Sequence, residues 1–421
     1  MQNGKDSYID SVWFEEYKKL SKMPGLSSLR AHNRTQEKHR FLRGEVENPT
    51  FIYQSLAVYP YQVQRDKLEK LKTRIETEET NDAIREIYSE KIEHKINDCK
   101  IIESIQKKDD ARYDELMRER YGNVSTELAT AVIRAYCSAL EKIIKTSRGK
   151  VFDSAKELRG YLEDVQSRVE TDAVHEFHLV EVSDVQEKVL SAREIKKLFE
   201  LKRKEYGLSS WSVEIDVWGR SNSISVRHKD KKVVIPRGRR LTRSQALALA
   251  EHELGVHIRR REHGEATTLA LLGVGLDGFL LGEEGLAKYY EQQVYDGAIN
   301  SSLKSYLLTA LALGVDGRKR SFREIYTVSE LIFKSMKGRY FLSEVHSSKH
   351  YAWGKTVRLF RGATGQSKGV CSRRQLVYLE GYLRIKEIID KEVLTEEQLI
   401  RGKYDPANEA HVLLLKKLSV L

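Results

Sequence analysis

The segment His252-Glu253-Leu254-Gly255-Val256-His257 restricts what this 421-residue chain can fold into more than any other. Imidazole nitrogens and carboxylate oxygens are the ordinary ligands of zinc, and a free carboxylate beside them can serve as a general base. In the familiar zinc-hydrolase pattern the two histidines stand at i and i+4, about 40° apart around a helix. Here they stand at i and i+5, about 140° apart on an ideal α-helix, so the two rings would diverge. A π-type turn with i→i+5 bonding absorbs the extra residue, and such bulges gather at functional sites. Gly255 lies inside the turn to be widened and is the residue best able to adapt to it. The spacing therefore predicts a helix distorted across 253–257, and a regular α-helix there would exclude a shared metal.

The flanking sequence places this run on a helix entered from strands. Trp211 to Val217, Ile224 to Arg227 and Lys232 to Ile235 alternate with period two and are separated by polar turns, as in a small antiparallel sheet. Thr242 or Ser244 can then cap a helix whose Leu247, Ala250, Leu254 and Ile258 share one face. That sets the active-site helix at about 242–258. A third ligand belongs on a neighbouring helix. Glu283-Glu284-Gly285-Leu286-Ala287 opens one, with Gly285 and Ala287 small enough for close packing. Glu284 and Glu283 are the competing ligands, and Glu253 is left free as the base. A His-Glu pair on a helix also occurs without any metal, so the downstream glutamates are needed to complete the argument.

The bulk numbers leave room for this site and exclude other classes. Hydrophobic residues make up 40% and charged residues 32%, as in a globular rather than a disordered protein. The longest apolar stretch, Ala266 to Leu281, contains Asp277 and is cut by Gly273, Gly275 and Gly278, so it does not read as a membrane span. The N-terminus has no apolar run of signal-peptide type, and three scattered cysteines read as free thiols. A cytoplasmic location is expected. The net charge of +11 favours acidic partners. Much of it lies near the histidines, between Arg227 and Arg243 and in Arg259-Arg260-Arg261, either as a solvated face or as a field steering an acidic substrate.

Upstream, residues 62–120 are rich in Lys, Glu, Ile and Leu and read as two or three long helices. Ser125 caps a further helix through Lys145, and others are expected at 153–170 and 191–206. Beyond Glu283 the chain is mostly helical, broken around 314–317 and 362–369. Gly273-Val-Gly275-Leu-Asp-Gly278 matches GxGxxG formally, but it neither closes a strand nor sits in a βαβ unit. It is expected to shape a wall of the cleft instead.

Two segments, Ala250 to His257 and Gly275 to Ala287, resemble the microtubule-associated tyrosine carboxypeptidases and their bacterial relatives with a QEGLA motif. Glu47-Asn48-Pro49-Thr50-Phe51-Ile52-Tyr53 is similar to an early NPxFxY element of that family. Arg320 to Tyr326 is similar to its SFxxxY segment, and Phe360-Arg361-Gly362 and Tyr378-Leu379-Glu380-Gly381 to later elements. Val256 and the run Cys371-Ser-Arg-Arg-Gln depart from the family pattern. The resemblance implies an α+β, mostly helical fold: a gluzincin-like zinc metallopeptidase core with a small antiparallel sheet and an N-terminal helical region. It implies a helical region at 1–145 packed on a metallopeptidase domain at 146–421. It also implies one Zn2+ held by His252, His257 and Glu284, with Glu253 as the catalytic base. The activity implied is that of a carboxypeptidase acting on a protein or peptide with a free, acidic C-terminus, for which the eukaryotic relatives use a tyrosine-ended tubulin tail.

Such an enzyme must neutralise the terminal carboxylate, a task suited to arginine. Arg227 and Arg361 are the candidates, and Tyr378 is either a donor to the reacting oxygen or a core residue. Neither a membrane nor nucleic acid is expected as a partner. The competing reading is a basic helical scaffold, or a nucleic-acid-binding protein, with a vestigial metal site.

Overall fold

A computed structural model describes residues 8–23, 26, 29–53, 60–169, 171, 175–182, 187–218, 223–341 and 345–421. The extreme N-terminus, and the last residue of the helix expected at 153–170, lie outside these. The N-terminal part is helical: α1 (Ser11–Leu20), α2 (Arg34–Leu42), α3 (Tyr61–Glu78), α4 (Asp82–Lys107), α5 (Asp110–Tyr121), α6 (Thr126–Thr146) and α7 (Gly149–Gln166). The two longest, α4 and α6, start where a side chain satisfies free N–H groups. Asn81 accepts from the N–H groups of Ala83 and Ile84, and Ser125 accepts from that of Leu128.

Strand β1 (Val189–Leu190) and α8 (Ala192–Glu205) lead into β2 (Ser212–Asp216), β3 (Ser225–Arg227), β4 (Lys232–Pro236) and β5 (Leu241–Thr242). The expected antiparallel pairing holds for β3 with β4, and a second, unexpected antiparallel pair joins β1 and β5. The three-stranded sheet is nevertheless mixed, because β4 lies between the others and pairs in parallel with β2. β3 occupies the edge opposite β2, and its antiparallel pairing with β4 leaves β4 running in the direction of β2. Val213, Val233 and Ile235 pack with Ile195 and Phe199 of α8 and with Ala246, Leu254 and Ile258. The sheet thus supports the histidine helix from below.

That helix begins as α9 (Arg243–Ala250), where Thr242 and Gln245 form a reciprocal capping box. It widens into a π-helical segment, Glu251–Ile258, and resumes as α10 (Arg259–Glu265). After α11 (Leu271–Val274) comes α12 (Phe279–Val294), which begins four residues before Glu283 rather than at it. Helices α13 (Ile299–Leu313), α14 (Phe322–Met336), α15 (Ser348–Leu359), α16 (Leu376–Asp390), α17 (Glu396–Leu399) and α18 (Glu409–Lys417) complete the chain. Among the described residues no helix is long and apolar enough to cross a membrane, and all three cysteines are unpaired.

Two contacts join segments far apart in sequence. The early Asn-Pro segment docks on two later ones. Asn48 Oδ1 accepts from the Arg323 N–H at 3.1 Å, Phe51 packs on Phe322, and the Tyr53 hydroxyl accepts from the Gly362 N–H at 2.8 Å. Gly285 of α12 lies directly against the backbone of Gly381 on α16, where a Cβ on either residue would overlap the other chain segment. Only glycine at both positions lets the two helices approach so closely. The Gly275–Gly278 loop packs beside α4, where Lys91 donates to the Leu276 carbonyl and His94 contacts Asp277.

Candidate metal centre

The π-helical segment does to the histidines what the i, i+5 spacing requires. His252 Nε2 and His257 Nε2 stand 3.0 Å apart, with their rings at 79°. Gly255 permits this by leaving space rather than by an unusual backbone angle: a Cβ there would come within 2.9 Å of the Glu251 carboxylate and 3.3 Å of the Tyr206 hydroxyl. Those two groups bond to each other, and Lys202 pairs with Glu251 at 2.8 Å, so the widened turn rests on a buried polar contact with α8.

Glu284 approaches from α12. Its Oε2 is 3.8 Å from His252 Nε2 and 3.9 Å from His257 Nε2. Ligands held about 2.1 Å from a tetrahedral ion are about 3.4 Å apart, a value that the three observed separations bracket. One lone-pair atom from each of the three residues lies within 4.8 Å of the other two. The far sides of both rings are occupied. Nδ1–H of His257 donates to Glu283 Oε1 at 2.7 Å, and Glu291 Oε1 lies 2.6 Å from His252 Nδ1, off the line of a well-directed hydrogen bond. With both Nδ1 atoms facing carboxylates, the two Nε2 lone pairs face each other, an arrangement that a cation satisfies. The residues present therefore fit a zinc ion.

The local charge favours a cation as well. Burial acts to lower the basicity of His252, but the carboxylates of Glu291, Glu253 and Glu284 outweigh it and push the group up to about 9. Glu283 is almost fully buried, which would raise its pKa, yet Lys403, His257 and Arg260 hold it well below the usual carboxylate range. Lys403 Nζ donates to the same oxygen of Glu283 at 2.7 Å. The Glu253 side chain is half-buried and makes no hydrogen bond among the described residues.

The other expected site residues are dispersed. Tyr378 lies half-buried beside the centre, where its hydroxyl accepts from Arg358 at 3.1 Å; burial and the charge of Glu284 raise its pKa. Arg361 lines a small cavity with Arg358 and Arg374, and its carbonyl accepts from Tyr113. Arg227 is exposed at the end of β3. The arginine triplet is mostly internal wiring rather than a solvated face. Arg260 is fully buried and donates to the Tyr404 carbonyl, Arg259 stacks on Tyr206, and Arg261 pairs with Glu265.

Sequence reasoning missed Glu291, Lys403 and Arg374, the last of which is 3.8 Å from Glu284. Glu291 had a signal: it is seven residues beyond Glu284, two turns along the same helix face. Lys403 and Arg374 had none, because both arrive from distant segments.

The sequence profile of the family described as microtubule-associated tyrosine carboxypeptidase matches residues 150–417. No curated protein matches the chain. The profile spans more than half of the sequence and includes every residue of the candidate centre, so the chain belongs to that family.

Proposed function

We propose that this member of the microtubule-associated tyrosine carboxypeptidase family is a zinc-dependent peptidase that removes the C-terminal residue of a protein or peptide. Family membership carries the carboxypeptidase class. The meeting of both Nε2 atoms with the Glu284 carboxylate, made possible by the π-helical turn, supports the metal. In this reading His252, His257 and Glu284 hold one Zn2+, which when bound supplies Lewis acidity to the scissile carbonyl and acidifies water. Glu253 takes a proton from the attacking water and returns it to the leaving nitrogen. Glu283 and Glu291 fix the ring orientation of the two histidines through Nδ1. The ligand from the following helix gives the core its gluzincin-like character. Residues 146–421 form the catalytic domain, and the helices of 1–145 brace it.

The substrate would be a peptide with a free C-terminus and acidic residues, ended by the tyrosine that the family's description names, acted on in the cytoplasm. The test combines metal analysis of the purified protein with mass spectrometry of peptides carrying free C-termini. One zinc per chain and sequential loss of C-terminal residues are expected. Internal cleavage would overturn the carboxypeptidase assignment. Metal-free protein that binds nucleic acid with a steep salt dependence would favour a basic scaffold.

A further inference from the structure

A cleft of about 870 Å³ runs from Glu291, which touches His252, to α15. Two lysines with no acidic partner among the described residues line its far side. Lys304 of α13 lines it although only 6% of the residue is exposed. Its ammonium lies 4.0 Å from the centre of the Phe341 ring and 5.4 Å from that of Tyr351, and no carboxylate among the described residues pairs with it. Lys355 of α15 lines the same cleft, 5.5 Å from the Tyr351 ring, and likewise has no acidic partner. The Tyr351 hydroxyl is buried in this wall without a hydrogen-bond partner among the described residues. Glu291 is the one acid among the described residues of the cleft wall, and Lys288 and His252 already engage it.

Burying two ammonium groups near each other is unfavourable unless an anion joins them. Both amines lose basicity as a result. Lys355 is lowered to about 8 by burial and then by Arg358 and Lys288, and Lys304 is lowered further by burial and by Lys355. The aromatic rings compensate only part of this cost. A carboxylate entering the cleft would restore charge to both amines and give the orphaned hydroxyl an acceptor.

We propose that Lys304, Lys355 and the Tyr351 hydroxyl bind the α-carboxylate at the substrate's free C-terminus, with Arg358 at the rim. The inference rests on the carboxypeptidase reading above, and it replaces Arg227 and Arg361 as the groups that neutralise that carboxylate. The cleft reaches Glu291 beside His252, so an anchor there favours peptides with a free C-terminus over internal segments.

The test uses the full chain carrying Glu253→Gln, so that peptide is bound without being consumed. The probes are a fluorescein-labelled, glutamate-rich peptide ending in tyrosine, its C-terminal amide, and a version with its internal glutamates changed to glutamine. The free acid should bind about 10- to 100-fold more tightly than the amide, the range of a charge-assisted hydrogen bond. Lys304→Met and Lys355→Met should each remove most of that preference while leaving amide binding unchanged. Equal binding of acid and amide by the parent overturns the proposal, as does a preference retained in both variants. It is also overturned if the two lysines act through the internal glutamates, or if inorganic phosphate displaces acid and amide alike. Should Lys304→Met fail to fold, the half-exposed Lys355 carries the comparison alone. If the chain with Glu253 intact cleaves nothing, yet the lysine-dependent preference for the acid is present, the carboxylate site stands and the peptidase reading falls.

Discussion

Glu283 Oε1 lies 2.7 Å from Nδ1 of His257, on the side of the ring away from Nε2. The first of the two adjacent glutamates therefore orients a histidine, and the second faces the space between both histidines. Because successive helical residues point about 100° apart, the two carboxylates divide: Glu283 meets Nδ1 of His257, and Glu284 faces both Nε2 atoms.

Glu253→Gln should abolish most peptide cleavage while leaving metal in place. Loss of a general base costs about 10²- to 10⁴-fold in rate. Zinc per chain, measured by atomic absorption, should stay at the parent value. A fall in zinc that parallels the fall in rate would show that Glu253 is a ligand instead.

Glu283→Gln should weaken zinc binding about 10- to 100-fold, as outer-shell substitutions do. It also strands Lys403 in a buried site, at a cost of about 3–5 kcal/mol of stability. Adding Lys403→Met removes the stranded charge, so the double variant should recover its denaturation midpoint but not its zinc affinity, as read by competition with a chelating dye. Recovery of both would assign Glu283 a purely structural role.

Gly285→Ala should destabilise the protein, although the same change on an exposed helix stabilises. A methyl at Gly285 meets the backbone of Gly381, which cannot move aside as a flexible side chain would. Overpacking of this kind costs about 1–3 kcal/mol. A lower urea midpoint with an unchanged slope is expected, and an unchanged midpoint would refute the close contact.

The contribution of Glu380 to stability should fall as pH rises from about 4.5 to about 7. Burial raises the pKa of Glu380 to about 7, against Arg384 and the Tyr306 hydroxyl, which act to lower it. A raised carboxyl pKa means that the folded state binds more protons than the unfolded state in this window. The contribution is complete below the unfolded pKa and is lost as pH passes through the folded one. Its size is on the order of 2 kcal/mol. Glu380→Gln, compared with the parent in urea titrations at pH 5 and pH 8, should be relatively more stable at pH 8. A pH-independent difference between the two would reject the assignment.

Much of the local structure was legible because its causes are local. Ser125 and Thr242 cap the helices expected of them, and Leu254 and Ile258 keep the core-facing side through the widened turn. The i, i+5 histidines required a π-helical segment, and one is present at Glu251–Ile258. The parallel pairing of β2 with β4 was not legible, since period-two alternation gives a strand its faces but not its neighbours.

The sequence by itself determined that two imidazoles and a carboxylate could share a metal only if the helix between them opened, and it offered two adjacent glutamates for the third position. Tertiary structure gives the two different surroundings. The register of α12 against the histidine helix, fixed by the Gly285–Gly381 contact with α16, turns Glu284 inward and leaves Glu283 to His257 and Lys403. It also brought Lys304 and Lys355, some fifty residues apart in sequence, to one cleft wall. Spacing along a chain fixes which side chains share a helix face, whereas the angle and depth at which helices pack fix what those side chains meet.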